Sequence, residues 1–197
     1  MGILAWIAAV VLFFQLPVPL YWFVLHPNVA FWRRHARAGF IVAVLFAWGT
    51  VTAFLVAFHG VLFARTRAPA WAIAAGLALI ALEIYILRCV TRDLGGARLS
   101  GKTELSGGGE IVSGGIYARV RHPRYAGTFC AVVGACLLAG TPRLWAVVAV
   151  WSLLLFSAIA LEEREMRARF GAAYAGYCRR VPRFLPWRTF YRSRGVE

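Results

Sequence analysis

Apolar residues come in long blocks, not in alternation with polar ones. Five runs stand out, at Ile3–Leu25, 39–63, 71–87, 125–139 and 144–161. About 20 apolar residues are enough to cross the hydrocarbon core of a bilayer, and a helix crosses it with every backbone hydrogen bond satisfied internally. The pattern therefore predicts an all-α integral membrane protein with about five transmembrane helices. Pro17 and Pro19 lie inside the first run. Each lacks a backbone N–H, so a kink or a stop is expected there. The last two runs are joined only by Gly140, Thr141, Pro142 and Arg143, which predicts a tight hairpin of antiparallel neighbours.

Polar positions divide the rest. A single membrane domain is expected, with the first three spans in 1–90, a glycine-rich loop in 91–124, the helical hairpin in 125–161 and a tail in 162–197. The fifth run continues as helix over 161–178. Phe170, Tyr174 and Tyr177 give that stretch an amphipathic face suited to a C-terminal interfacial helix. Pro182 and Pro186 end it. The N-terminal run has no basic segment before it and is too long for a signal peptide, so it reads as the first span.

Composition agrees with this class. The chain has 197 residues, 61% of them hydrophobic, and a mean hydropathy of +0.68. Its net charge of +14 comes from 22 Lys and Arg against 8 Asp and Glu. Those cations flank apolar runs, which fits membrane orientation and anionic lipid headgroups and excludes nucleic acid as partner. Sorted by connecting segment, 19 basic residues fall on one side and 3 on the other. The positive-inside rule then puts the N-terminus outside and the C-terminus in the cytoplasm, in an inner or plasma membrane. Cys89, Cys130, Cys136 and Cys178 have neither CxxC spacing nor a nearby His ligand. They read as packing residues, with no disulfide framework and no metal site. The run GGGEIVSGG lacks the GK[ST] ending of a phosphate loop and any βαβ context.

Chemistry concentrates in two places. The stretch GGIYARVRHPRYAG (114–127) packs Tyr117, Arg121, His122, Pro123 and Tyr125 at the mouth of the fourth span. Pro123 suits the first turn of a helix, and helix N-termini with arginine forks favour anions. Glu162 and Glu163 stand where the fifth span leaves the membrane, on the same side, and the hairpin brings the two ends together. The competing reading is a surface ion pair between these carboxylates and Arg121 or Arg124, worth about 0–1 kcal/mol. Glu83 is an acid inside the third span, with Arg88 five residues on and able to snorkel toward it. It reads equally as structural or as part of a substrate pocket. His26 and His59 read as interfacial anchors, and Arg119 and Arg124 as membrane-facing charge.

The order GGIYARVRHPRYAG, then Glu162-Glu163, then FGAAYAGYCRRVPRFLP resembles the C-terminal half of the integral-membrane methyltransferases. These comprise the isoprenylcysteine carboxyl methyltransferases and the related phospholipid N-methyltransferases. The resemblance covers about residues 94–186. It implies an S-adenosylmethionine site facing the cytosol, held by Tyr117, Arg121, His122, Pro123, Tyr125, Glu162 and Glu163. It also implies a lipophilic or lipid-modified acceptor reached from the membrane. A glutamate suits the cofactor's ammonium, Arg or His its carboxylate, and tyrosine faces its adenine or sulfonium. By overall pattern the isoprenylcysteine carboxyl type is favoured, with phospholipid N-methylation the alternative. An NADPH-dependent sterol-type reductase and a non-catalytic scaffold stand further off. Ser157 and Ala158 occupy the place where the carboxyl methyltransferases carry an arginine before the glutamates; Arg164, Arg167 and Arg183 are candidates to replace it. No catalytic residue is assigned, because a carboxylate acceptor is already ionised at neutral pH.

Overall fold

The computed structural model describes residues 2–64, 68–99 and 110–185. The glycines of the 100–109 loop, Arg65, Arg67 and Pro186 therefore lie outside the described residues. Among those described the chain is helical with no strand. Four helical stretches are long and apolar enough to cross a membrane: Ile3–Leu25, Ala36–Leu62, Ala70–Leu94 and Pro142–Arg180. A fifth, Pro123–Ala139, is shorter. The chain is an integral membrane protein on these grounds.

The first span is two helices, α1 (Ile3–Gln15) and α2 (Pro17–Leu25), broken where the prolines predicted. A tight turn at His26–Asn28 and a short α3 (Val29–Arg34) lead into α4 (Ala36–Leu62). Helix α5 (Ala70–Leu94) runs about two turns past its apolar stretch before α6 (Gly96–Leu99). A 3-10 turn at Gly115–Ala118 precedes α7 (Pro123–Ala139), which opens on Pro123 in its first turn as expected. Helix α8 (Pro142–Arg180) has 39 residues. At 1.5 Å per residue this is about 58 Å, more than a bilayer can cover, so one end must stand outside it. Its helix is interrupted at Gly171, where φ is 50° and ψ is −122°.

The shortest of the five apolar stretches lies at the centre. Eleven of the 17 residues of α7 are buried, so α7 is wrapped by protein instead of facing lipid. Small residues permit this, because without a hydrophobic drive between helices, close backbone packing holds membrane bundles together. A Cβ on Gly134 would stand 2.7 Å from the Gly76 carbonyl oxygen of α5, and one on Gly76 would stand 2.8 Å from the Gly134 oxygen. Helix α1 covers another face of α7. The hairpin partner α8 is antiparallel to α7 as expected. Larger side chains meet between these two, with Phe129 stacked on Trp151 at 6.5 Å. The Trp151 indole N–H donates to the Leu16 carbonyl at the break between α1 and α2 (3.1 Å). At the hairpin turn the Thr141 hydroxyl donates to the Leu62 carbonyl (2.7 Å) and ties the turn to the end of α4.

The face of Tyr174 and Tyr177 differs from the sequence reading. Both are buried, in a small cluster with Val181, and Ile111, Met166, Phe170 and Cys178 pack against it. The Tyr177 hydroxyl donates to the Tyr117 carbonyl (2.8 Å). The amphipathic face is thus covered by the chain itself, because the loop before α7 folds under it.

Gly134→Ala should destabilise the protein by about 1–3 kcal/mol, since the methyl meets backbone that cannot step aside. Gly49→Ala is the control: nothing lies within 4 Å of the position its methyl would take, and it should be neutral or slightly stabilising. Thermal unfolding of the two variants in detergent checks this.

Candidate functional site

Where α2 ends, α7 begins and α8 turns polar, polar side chains converge on one end of the bundle. The hub is Glu163, which is only 1% exposed. Its Oε1 accepts from Arg121 (3.0 Å), His122 (3.1 Å) and Arg183 (3.1 Å). Its Oε2 accepts from Arg183 (2.7 Å) and from Arg167 one turn along α8 (3.1 Å). The chain after α8 returns along the start of α7. The Arg121 N–H donates to the Pro182 carbonyl (2.8 Å), and the His122 N–H to that of Arg183 (3.0 Å). The Arg121 guanidinium also donates to the Cys178 and Val181 carbonyls (3.1 and 2.6 Å), which are orphan acceptors at a helix C-terminus. The Glu163 carboxylate also holds the Arg183 guanidinium above its ordinary range, mainly through their hydrogen bond.

The neighbouring carboxylate behaves differently. Successive residues of a helix point about 100° apart, so Glu162 turns away from that knot. It makes no ion pair among the described residues. It lines a cavity of about 700 Å³ that runs between α1, α2, α4, α5, α7 and α8. Tyr117, Arg121, His122 and Tyr125 line the same cavity, with Phe170, Tyr174 and Tyr177. The Tyr125 hydroxyl and the Arg121 Nε are buried there without a hydrogen-bond partner among the described residues. Burial, and then the Glu162 charge, push the Tyr117 phenol well above its usual pKa. Of the seven residues expected at the site, five line the cavity. Pro123 and Glu163 stand behind it, as helix start and anchor.

The 3-10 turn that carries Tyr117 is itself pinned. The Ile116 N–H donates to Asp93 Oδ2 at the end of α5 (2.7 Å). Gly115 takes φ 57°, and a Cβ there would strike the Asp93 carboxylate, so glycine is required at that position.

Deeper in the bundle the cavity turns apolar, with Val10, Phe14, Phe40, Val44, Trp48 and Ile80 among its walls. One polar cluster interrupts it. Arg124 donates to Glu83 Oε1 (2.6 Å), to the Thr128 hydroxyl (2.5 Å) and to the Gln15 side-chain oxygen (3.2 Å), and Gln15 donates in turn to Glu83 (3.1 Å). Arg124 therefore turns inward, contrary to its reading as membrane-facing charge. Glu83 pairs with Arg124, not Arg88, because a carboxylate this deep needs a cation inside the bundle. A Cβ on Gly127 would overlap Glu83, so the missing side chain makes room for the acid.

His26 also departs from its reading as an anchor. Its Nδ1 hydrogen-bonds Glu165 Oε2 (2.7 Å), Arg33 donates to Glu165 Oε1 (3.0 Å), and both His26 and Glu165 line the cavity. The partners are 139 residues apart, so no local pattern reveals them. The sequence signal was that both lie at the basic end of their spans.

Comparison with known proteins adds to this geometry. The model of the phospholipid methyltransferase family matches residues 71–173. The chain is 40% identical over 73 residues to methanethiol S-methyltransferase 1 of Bradyrhizobium diazoefficiens, covering 37% of this chain and 25% of that protein. It is 31% identical over 84 residues to a nickel-cobalt-cadmium resistance protein of Alcaligenes xylosoxydans xylosoxydans, covering 43% and 39%. It is 35% identical over 80 residues to protein-S-isoprenylcysteine O-methyltransferase of Schizosaccharomyces pombe, covering 39% and 33%. The matches thus span between a quarter and two fifths of these relatives. No solved structure matches.

Glu163→Gln should lower stability by about 3–5 kcal/mol, because it leaves several cations facing a neutral group in a buried site. Glu162→Gln should change it by no more than about 0.5 kcal/mol. Thermal unfolding in detergent separates the two adjacent glutamates.

Proposed function

The chain belongs to the phospholipid methyltransferase family, and on that premise we propose that it is an S-adenosylmethionine-dependent methyltransferase acting on a lipophilic acceptor within the membrane. The observation that carries this is the unequal treatment of two adjacent carboxylates. Glu163 is saturated by cations of the protein, while Glu162 meets none among the described residues and faces a cavity shared with tyrosines. A half-buried carboxylate without a cation partner among the described residues is suited to a cationic ligand. Two relatives, a thiol S-methyltransferase and an isoprenylcysteine O-methyltransferase by name, support methyl transfer.

The residues fit this cofactor. Glu162 suits its ammonium or sulfonium charge. Tyr117, Tyr174 and Tyr177 offer aromatic faces for its ring or its cation. The unpartnered Arg121 Nε and Tyr125 hydroxyl offer donors to its carboxylate or ribose. When bound, S-adenosylmethionine supplies an electrophilic methyl group on a sulfonium. The chain's own part is to hold the reacting groups in line, and positioning can supply much of the barrier lowering in such a displacement. The apolar walls of α1, α4 and α5 suit the acceptor's hydrocarbon. The Glu163 knot keeps Arg121 and His122 in place and takes no part in the transfer.

In this reading the site faces the cytoplasm, with the N-terminus outside and the C-terminus inside an inner or plasma membrane, an orientation the distribution of basic residues favours. The whole chain acts as one membrane domain in this reading.

Calorimetry of the purified chain with S-adenosylhomocysteine, the demethylated product, tests the proposal. The unaltered protein should bind it. Glu162→Ala should weaken that binding by about ten- to a hundredfold, the loss of one charge-assisted hydrogen bond, with the helical circular dichroism retained. No binding by the unaltered protein overturns the proposal.

A further inference from the structure

We propose that His26 is the general base of this site and that the acceptor is a protic nucleophile, a thiol or an amine, that must shed a proton to react. The inference rests on the methyltransferase reading above and names its acceptor class. The side chain of His26 is 5% exposed and stacks on Trp22 with ring centroids 5.0 Å apart. Its Nδ1 lies 2.7 Å from Glu165 Oε2, an acceptor-only carboxylate, so Nδ1 carries the proton and donates. That leaves the lone pair on Nε2. Nε2 is buried and has no hydrogen-bond partner among the described residues, and the ring lines the cavity. A carboxylate that orients an imidazole and stabilises its protonated form is the arrangement by which histidine acts as a base.

Position supports the same role. Glu165 follows Glu162 by three residues, so the two side chains leave one face of α8 with their Cβ atoms about 5–6 Å apart. The dyad therefore stands one helical turn from the carboxylate assigned to the cationic cofactor. The charged groups that face His26 are Glu165 and, acting on that carboxylate, Arg33 from α3 and Arg169 from α8. A carboxylate acceptor arrives ionised and has no use for a base. A thiol or an ammonium must first give up a proton to present its lone pair.

During transfer the S–H or N–H bond of the acceptor breaks, and its proton goes to His26 Nε2. The freed electron pair forms the bond to the methyl carbon of the sulfonium donor. The carbon–sulfur pair stays on the departing sulfur, which becomes a neutral thioether. The imidazolium then returns its proton to water.

The test uses the full chain in detergent, with a long-chain alkanethiol, a phosphatidylethanolamine, an acidic arylthiol that is ionised at neutral pH, and a prenylated cysteine carboxylate as acceptors. S-adenosylhomocysteine calorimetry is the readout independent of turnover. His26→Gln should keep that binding and slow transfer to the alkanethiol or the phosphatidylethanolamine by about a hundredfold or more, the usual contribution of a general base. Transfer to the arylthiol should be spared. If His26→Gln fails to bind S-adenosylhomocysteine, Glu165→Gln is read in its place, with a smaller loss of the same selectivity expected. Equal rates for variant and unaltered protein, equal loss across all acceptors including the arylthiol, or methylation of the carboxylate alone would each overturn the proposal. Absence of S-adenosylhomocysteine binding by the unaltered protein would instead sink the methyltransferase reading beneath it.

Discussion

A single buried carboxylate organises the end of the bundle where the chemistry is expected. Glu163 collects Arg121 and His122 from the start of α7, Arg167 from its own helix and Arg183 from the returning chain. Buried ions cost several kcal/mol each to desolvate, and only dense pairing offsets that. The pairing in turn forces three separate segments into one place. With α7 fixed at that end, its small-residue face is pressed onto α5, and the cavity between the helices acquires its shape.

Saturating one glutamate leaves the next one exposed in function. Glu162 follows the helical rotation into the cavity, and Glu165 follows it by about one turn. One face of α8 therefore presents two carboxylates, of which one meets His26 and the other meets no cation of the protein among the described residues. The opposite face is neutralised. This division of labour along a single helix leaves Glu162 as a carboxylate of the cavity's polar end with no ion-pair partner among the described residues. The cavity's other end is apolar, broken only by the neutral Glu83–Arg124–Gln15 cluster.

Much of this was legible in the sequence. The spans, the proline break, the hairpin and the convergence of 117–125 with 162–163 follow from hydropathy, turn chemistry and charge. Adjacent glutamates, however, read as one wall of a pocket, whereas helix rotation sends them to different places. Arg167 at i+4 from Glu163 was the available hint. The central burial of α7 was not legible from its composition, which is that of any apolar span; its glycines carried the signal. The pairs His26–Glu165 and Glu83–Arg124 join residues far apart in the chain, so they depend on helix packing that no local pattern encodes. Residues 100–109 and 186–197 lie outside the described structure, and the glycine-rich loop expected there stays a reading of sequence.

We propose that the cavity beside Glu162 holds S-adenosylmethionine. Ultraviolet cross-linking of the labelled cofactor to the purified chain, followed by peptide mapping, tests it most directly. Label is expected on the peptides that carry Tyr117 and Tyr125 and on the stretch of α8 from Glu162 to Tyr177, competed away by S-adenosylhomocysteine. Label confined to peptides away from this cavity would contradict it.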